Sequence, residues 1–104
     1  MADEGLRDLV LEQLAEMDVT SRPRFGGHHL YLAGTFFGLV AEGAVYFRTD
    51  EVSRPAYLER GTKAFQPSDR PRGPRTVDRN FEVPANVLED RELLCEWAER
   101  ASRA

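Results

Sequence analysis

The stretch from Phe25 to Arg48 constrains the fold of this 104-residue chain more than any other part. It contains three apolar runs rich in aromatic and branched residues, and short breaks that contain glycine separate them. Such runs suit half-buried strands, and such breaks suit the tight turns of hairpins. The sequence therefore predicts a three-stranded antiparallel meander, with a two-residue turn at Glu42-Gly43.

Alternate residues of each predicted strand are expected to point to opposite faces of the sheet. In the first strand, Leu30 and Leu32 share one face and Tyr31 lies on the other. The middle strand is apolar on both faces, which indicates a central position in the sheet. One face of this strand is expected to carry Phe36, Gly38 and Val40, and the other is expected to carry Phe37, Leu39 and Ala41.

Helical patterns precede and follow the meander. Apolar residues recur at three- and four-residue steps over 3–17, which predicts an amphipathic helix with Asp3 as its N-cap. A short helix is predicted over 49–61. A last helical element is predicted from Pro84, with Asp90 capping a new turn.

The remaining segments are predicted to be extended or irregular. Residues 19–24 are expected to be a connector that ends in an extended segment, because Pro23 excludes a helix there. Short strands are expected at Phe65 and over 76–83, and the prolines and glycine between them predict an irregular loop over 66–75.

The predicted order is helix, three strands, helix, two strands and helix. This order is typical of a two-layer α+β fold, in which helices pack on an antiparallel sheet of about five strands. A length of 104 residues and a composition that is 41% hydrophobic and 31% charged predict a single domain, residues 1–104. No apolar run approaches the ~20 residues that span a bilayer. With a polar, acidic N-terminus and one cysteine, a cytoplasmic location is the expectation.

Charge is distributed unevenly along the chain. Its formal net charge is -4, but residues 60–81 carry six basic side chains against two acidic ones. The flanking segments 1–20 and 82–104 are acidic. A dedicated nucleic-acid binder is usually basic over much of its surface, so the overall charge argues against that class.

The residues with catalytic or metal-binding chemistry form no recognisable set. His28 and His29 are adjacent on a predicted strand, where they would point to opposite faces and make a poor metal clamp. A role for His28 as a polar residue that faces a partner is slightly favoured over a metal site. Cys95 is expected to be a small buried thiol in the last helix. We expect no enzyme activity, no cofactor and no metal.

The basic region is the best candidate for a binding site. Its guanidinium and ammonium groups are expected to contact an acidic protein partner or phosphate groups. The residues concerned are Arg60, Lys63, Arg70, Arg72 and Arg75.

Several motifs in order resemble the TfoX/Sxy N-terminal domain family. They are a Phe25-Gly26-Gly27 entry, a Leu30-Tyr31 hairpin strand, the Val45-Tyr46-Phe47-Arg48 strand, and a Val83-Pro84 opening to the last helix that leads to Trp97-Ala98. Arg24 and Arg48 stand where the family usually has Met and Lys. The resemblance covers nearly the whole chain, and it implies a two-layer fold similar to that of secretion-chaperone-like domains.

The resemblance implies a regulatory domain linked to competence, without the C-terminal domain that longer members carry and without catalytic residues. We therefore expect a non-enzymatic domain that binds a protein partner, with a homodimer through an exposed strand edge as one form of that binding. A second hypothesis is a small-ligand pocket between sheet and helices, lined by Tyr31, Phe37, Tyr46 and Trp97. A third is salt-sensitive DNA contact through the basic region, residues 60–79.

Overall fold

The structure is a computed structural model that describes residues 2–24, 26–65 and 79–104. Nine elements follow one another in the described chain. They are α1 (Ala2–Gln13), β1 (Val19–Arg24), β2 (Gly27–Leu32), β3 (Thr35–Ala41), β4 (Ala44–Arg48), α2 (Arg54–Glu59), β5 (Asn80–Glu82), α3 (Ala85–Leu88) and α4 (Arg91–Ser102).

The five strands form one antiparallel sheet whose strand order equals the chain order, β1-β2-β3-β4-β5. Beyond β5, the segment that ends in Phe65 runs alongside it. The amide of Phe65 donates to the carbonyl of Asn80 at 2.7 Å, and the amide of Glu82 donates to the carbonyl of Lys63 at 2.9 Å. The predicted α+β fold is therefore confirmed.

Two tight turns connect the central strands. Both central residues of each turn have positive φ, at 50° and 87° for Ala33-Gly34 and at 52° and 81° for Glu42-Gly43. This backbone matches the twist of paired strands and requires left-handed conformations that glycine adopts without strain. The predicted hairpin turn at Glu42-Gly43 is confirmed.

One face of the sheet carries all the described helices and the core. Val45 and Phe47 of β4 point into it, and Phe37 contacts Phe47 edge-on with 5.3 Å between ring centroids. Helices α1 and α4 pack over these residues and close the core, with Val10 and Leu94 fully buried. We call this side of the sheet the covered face.

The other side of the sheet has no described helix packed on it, and we call it the open face. Its strand positions follow from the register and from the alternation of side chains. They are Arg22 and Arg24 on β1, His29 and Tyr31 on β2, Phe36 and Leu39 on β3, Tyr46 on β4, Glu82 on β5, and Lys63 and Phe65 beside β5.

Two strand predictions need correction. Val19–Arg24 is a full edge strand rather than a connector, so the meander has four strands instead of three. Leu30 of β2 pairs with Gly38 of β3, and Tyr31 of β2 pairs with Phe36 of β3. Phe37 is therefore an extra residue of β3, in a bulge. The bulge turns Phe37 into the core beside Gly38, so the predicted opposition of these two residues is wrong.

The predicted helices are present at the expected places in the chain, but their lengths differ from the prediction. Helix α1 ends at Gln13, before the predicted end at residue 17, and the last element is two helices, α3 and α4. Asp90 caps α4 as predicted, with its carboxylate accepting from the amide of Leu93 at 3.1 Å. Asp3 instead accepts from the amides of Glu42 and Gly43, so it binds the turn between β3 and β4.

Candidate functional site

A cleft opens between α2, α4 and the end of β4. Its volume is about 230 Å³. Most of its lining is apolar, and Val52 at its rim is 80% exposed. The lining residues are Arg48, Val52, Ser53, Ala56, Tyr57, Glu96, Trp97, Arg100 and Ala101.

Two aromatic rings form the floor of the cleft. Tyr57 of α2 and Trp97 of α4 meet edge to face, with 4.7 Å between ring centroids. Tyr57 is nearly fully buried, and burial raises the pKa of its hydroxyl well above the ordinary value. The guanidinium of Arg60 lies over the Trp97 ring at 5.1 Å, a favourable cation–π contact. Trp97 therefore offers an apolar surface bordered by a cation.

An ion pair fixes α4 to the turn that precedes α2. The terminal Nη2 of Arg100 donates to both carboxylate oxygens of Asp50, at 3.0 and 2.9 Å. The amides of Val52 and Ser53 donate to the same carboxylate at 2.9 and 2.8 Å. The hydrogen bond from Ser53 and then that from Arg100 lower the pKa of Asp50 to about 2. The carboxylate is thus ionised at neutral pH and holds the cleft wall in place.

Arg48, at the end of β4, also lines the cleft. Its guanidinium makes no hydrogen bond or ion pair with another side chain of the described chain. Glu96 is the one acidic side chain in the lining. Because Asp50 already neutralises Arg100, Arg48 supplies the positive charge available to an incoming group.

The size of the cleft bears on what it can accept. Pockets for drug-sized molecules usually enclose about 300–1,000 Å³, and this cleft is smaller and open at its rim. It suits the side chain of a bound peptide better than a buried small molecule. The predicted pocket lining is wrong except for Trp97, because Phe37 lies in the core and Tyr31 and Tyr46 lie on the open face.

The structure describes two of the five residues predicted as the binding site. Arg60 is exposed at the end of α2 and borders the cleft, whereas Lys63 is exposed beside β5. The two therefore belong to different surfaces. Arg70, Arg72 and Arg75 lie outside the described residues, and their role stays a prediction.

The two histidines and the cysteine each have a separate environment. His28 points to the covered face and is 9% exposed, so the prediction that it faces a partner is wrong. His29 lies on the open face, where burial and then Arg24 lower its pKa. Burial, reinforced by Glu16, raises the pKa of the Cys95 thiol, which leaves less reactive thiolate. Over 2–24, 26–65 and 79–104, no three His, Cys, Asp or Glu residues could jointly hold a metal ion.

Sequence reasoning missed the cleft because its walls are far apart in the chain. Val52 stands among charged and turn-forming residues and shows no apolar periodicity. Asp50 and Arg100 are fifty positions apart, and no local pattern pairs them. A local signal existed for Asp50 alone, since an acid just before a predicted helix favours capping.

The fold and the cleft define a small α+β domain without a recognisable catalytic set among its described residues. A family model, the TfoX N-terminal domain, matches residues 11–104, which is nearly the whole chain. The chain belongs to the TfoX N-terminal domain family. A comparison with curated proteins found no match. Among the residues that the structure describes, no helix has the length and apolar character needed to cross a membrane.

Proposed function

We propose that this chain is a non-enzymatic regulatory domain that binds a partner protein through the cleft between α2 and α4. Family membership supports a regulatory domain associated with competence in general terms. The observation that carries the proposal is the exposed apolar rim at Val52 beside the Trp97 floor. Contiguous apolar surface that is bordered by polar groups is typical of interaction sites.

The chemistry of the cleft favours a particular kind of peptide. Its apolar floor accepts an aliphatic or aromatic anchor, and aromatic residues with arginine are the usual energetic centres of protein interfaces. The guanidinium of Arg48 is available to a carboxylate, and Arg60 adds positive charge at the edge of Trp97. The proposed ligand is an acidic segment of a cytoplasmic protein with one large apolar side chain.

A single substitution at the rim tests this proposal. Val52→Glu places a negative charge at an exposed position, so it should leave the fold intact and repel an acidic peptide. Proteins captured from native lysate by the wild-type domain and by this variant are identified and quantified. A direct partner should then be confirmed with purified components, and its Kd should rise at least tenfold with Val52→Glu.

The matched control is Leu58→Glu on α2, the helix that follows the turn containing Val52. Leu58 is 55% exposed and does not line the cleft, so the same change of charge leaves the cleft unaltered. Equal loss of the partner with both variants would contradict binding at the cleft. A third variant, Arg48→Ala, should weaken the purified complex and reduce its sensitivity to salt.

A further inference from the structure

The open face of the sheet carries aromatic rings where a face turned to water usually carries polar side chains. His29 and Phe36 lie 5.0 Å apart between centroids, and Tyr31 lies 6.1 Å from Phe36. On the same face but toward the β5 edge of the sheet, the ring centroids of Tyr46 and Phe65 lie 4.8 Å apart. All five rings are only partly buried. Two clusters of ring surface are thus presented on a rigid sheet.

One row of side chains crosses all five strands of this face. The register pairs Arg22 with His29, His29 with Leu39, Leu39 with Tyr46, and Tyr46 with Glu82. Neighbouring strands are about 4.8 Å apart, so the row is roughly 19 Å long and the rings of His29 and Tyr46 are separated by about 10 Å. A row of this length accommodates several stacked bases of an extended strand.

The charge of the open face is opposite to that of the chain. Its exposed basic side chains are Arg22, Arg24 and Lys63. Its acids are Glu82 on β5 and Glu42 at the turn before β4, and burial, then Glu82 and Glu42, raise the pKa of Tyr46. The Arg22 guanidinium lies 6.0 Å from the centre of the Tyr31 ring. Arg24 contributes to the lowered pKa of His29, which shows that its charge acts on the row of rings. In a chain with a net charge of -4, positive charge is therefore concentrated beside the Tyr31 and His29 rings, whereas the Tyr46 ring lies near two acids.

From these features, we infer that the open face binds single-stranded DNA, in addition to the protein binding proposed at the cleft. Stacking of bases on aromatic rings together with cations that follow the backbone is the usual way in which proteins hold single strands. A four-stranded sheet with exposed aromatic residues stacks two or three bases in this manner in a common RNA-binding module. Duplex nucleic acid, whose bases are already stacked, cannot use the rings.

The rings also favour DNA over RNA. Phe36 and Phe65 offer apolar edges, and phenylalanine side chains contact the C5-methyl group of thymine. Uracil lacks that methyl group. A thymine-rich single strand is therefore the ligand that this surface fits best.

The test measures fluorescence anisotropy of labelled oligothymidylate with the whole domain at about 50 and 200 mM salt. For about three phosphate contacts, a slope of about -0.7 per contact predicts that affinity falls about fifteen- to twentyfold between these concentrations. Arg22→Ala should weaken binding and reduce the slope by about 0.7. Tyr46→Leu removes the ring but keeps an apolar side chain, and it should weaken binding at least about fivefold.

The matched control is Arg91→Ala, which removes an exposed arginine from α4 on the other side of the sheet. It should change the Kd by less than about twofold. Circular dichroism confirms that each variant is folded. The inference is overturned by absence of binding at low salt, by equal effects of Arg22→Ala and Arg91→Ala, or by equal affinity for duplex DNA or oligouridylate. The inference would also be overturned if Tyr46→Leu abolished binding of a protein partner but left the affinity for DNA unchanged.

Failure here is distinguishable from failure of the proposed cleft function. Val52 and Arg48 line the cleft between α2 and α4, whereas Arg22 and Tyr46 lie on the open face. Val52→Glu should leave binding of oligothymidylate unchanged, and Tyr46→Leu should leave binding of the acidic peptide unchanged. Each surface thus serves as a control for the other.

Discussion

The two faces of the sheet are built from alternate residues of the same strands, and both are rich in aromatic rings. On the covered face, Phe37 and Phe47 are fully buried and pack edge to face under α4. On the open face, Tyr46 and Phe65 keep part of their surface in water, and arginines border the rings. Aromatic rings therefore have two environments in this sheet: on one side they exclude water and stabilise the fold, and on the other they keep part of their surface in solvent.

The strongest test of this contrast uses two adjacent residues. Phe37→Ala leaves a cavity in the core and should lower the free energy of unfolding by about 3–5 kcal/mol. Since small domains have about 5–15 kcal/mol in total, this variant should be close to unfolding. Phe36→Ala, on the open face, should cost only about 1 kcal/mol. Urea denaturation of both variants gives the comparison, and similar losses would show that the open face is part of the stabilising core.

A second test concerns the narrowest part of the covered face. A Cβ at position 38 would clash with the carbonyl oxygen of Tyr46 and lie 2.9 Å from a ring carbon of Phe47. Gly38→Ala should therefore force strands β3 and β4 to shift and cost about 1–3 kcal/mol. The control is Gly5→Ala in α1, where no atom lies within 4 Å and stability should rise by about 0.5–1 kcal/mol. Neutral behaviour of Gly38→Ala would contradict the described strand packing.

The smallest expected effect concerns the ion pair between Asp50 and Arg100, which fixes α4 to the turn before α2. Asp50 has a pKa of about 2 in the folded chain against an ordinary 3.8. Its contribution to stability is therefore complete above about pH 4 and is lost as the pH falls toward 2. Asp50→Asn should flatten this acid-dependent loss in denaturation curves. Because the hydrogen bond from the Ser53 amide is the largest cause of the lowered Asp50 pKa, Arg100→Ala should remove only part of the acid-dependent loss of stability. Complete removal of that loss would contradict this order of causes.

Much of the fold could be predicted because its signals are local. Glycine at the Glu42-Gly43 turn and alternation over Val45 and Phe47 each depend on a few consecutive residues. Strand β1 was missed because its exposed Arg22-Pro23-Arg24 sequence lacks apolar alternation and contains a proline, which only an edge strand tolerates.

The features that escaped prediction depend on distant pairings. The bulge at Phe37 exists because β2 and β3 shift register after Leu30, and no residue of β3 alone announces it. The cleft needs Asp50 to meet Arg100, and the open face needs Tyr46 to meet Phe65. The basic region was predicted as one site, yet the fold places Arg60 at the cleft and Lys63 on the open face.

The identity of strand order and chain order has a consequence for how the domain is made. As the chain leaves the ribosome, each new strand finds its partner already present. Strands β1 to β4 can therefore form one hairpin at a time with short loops to close, and β5 joins after α2. The core, however, stays open until α4 has been synthesised, because Leu94 and Ala98 complete it. During that interval the covered face exposes its rings as the open face does permanently, and the nascent domain would need protection on both sides of the sheet.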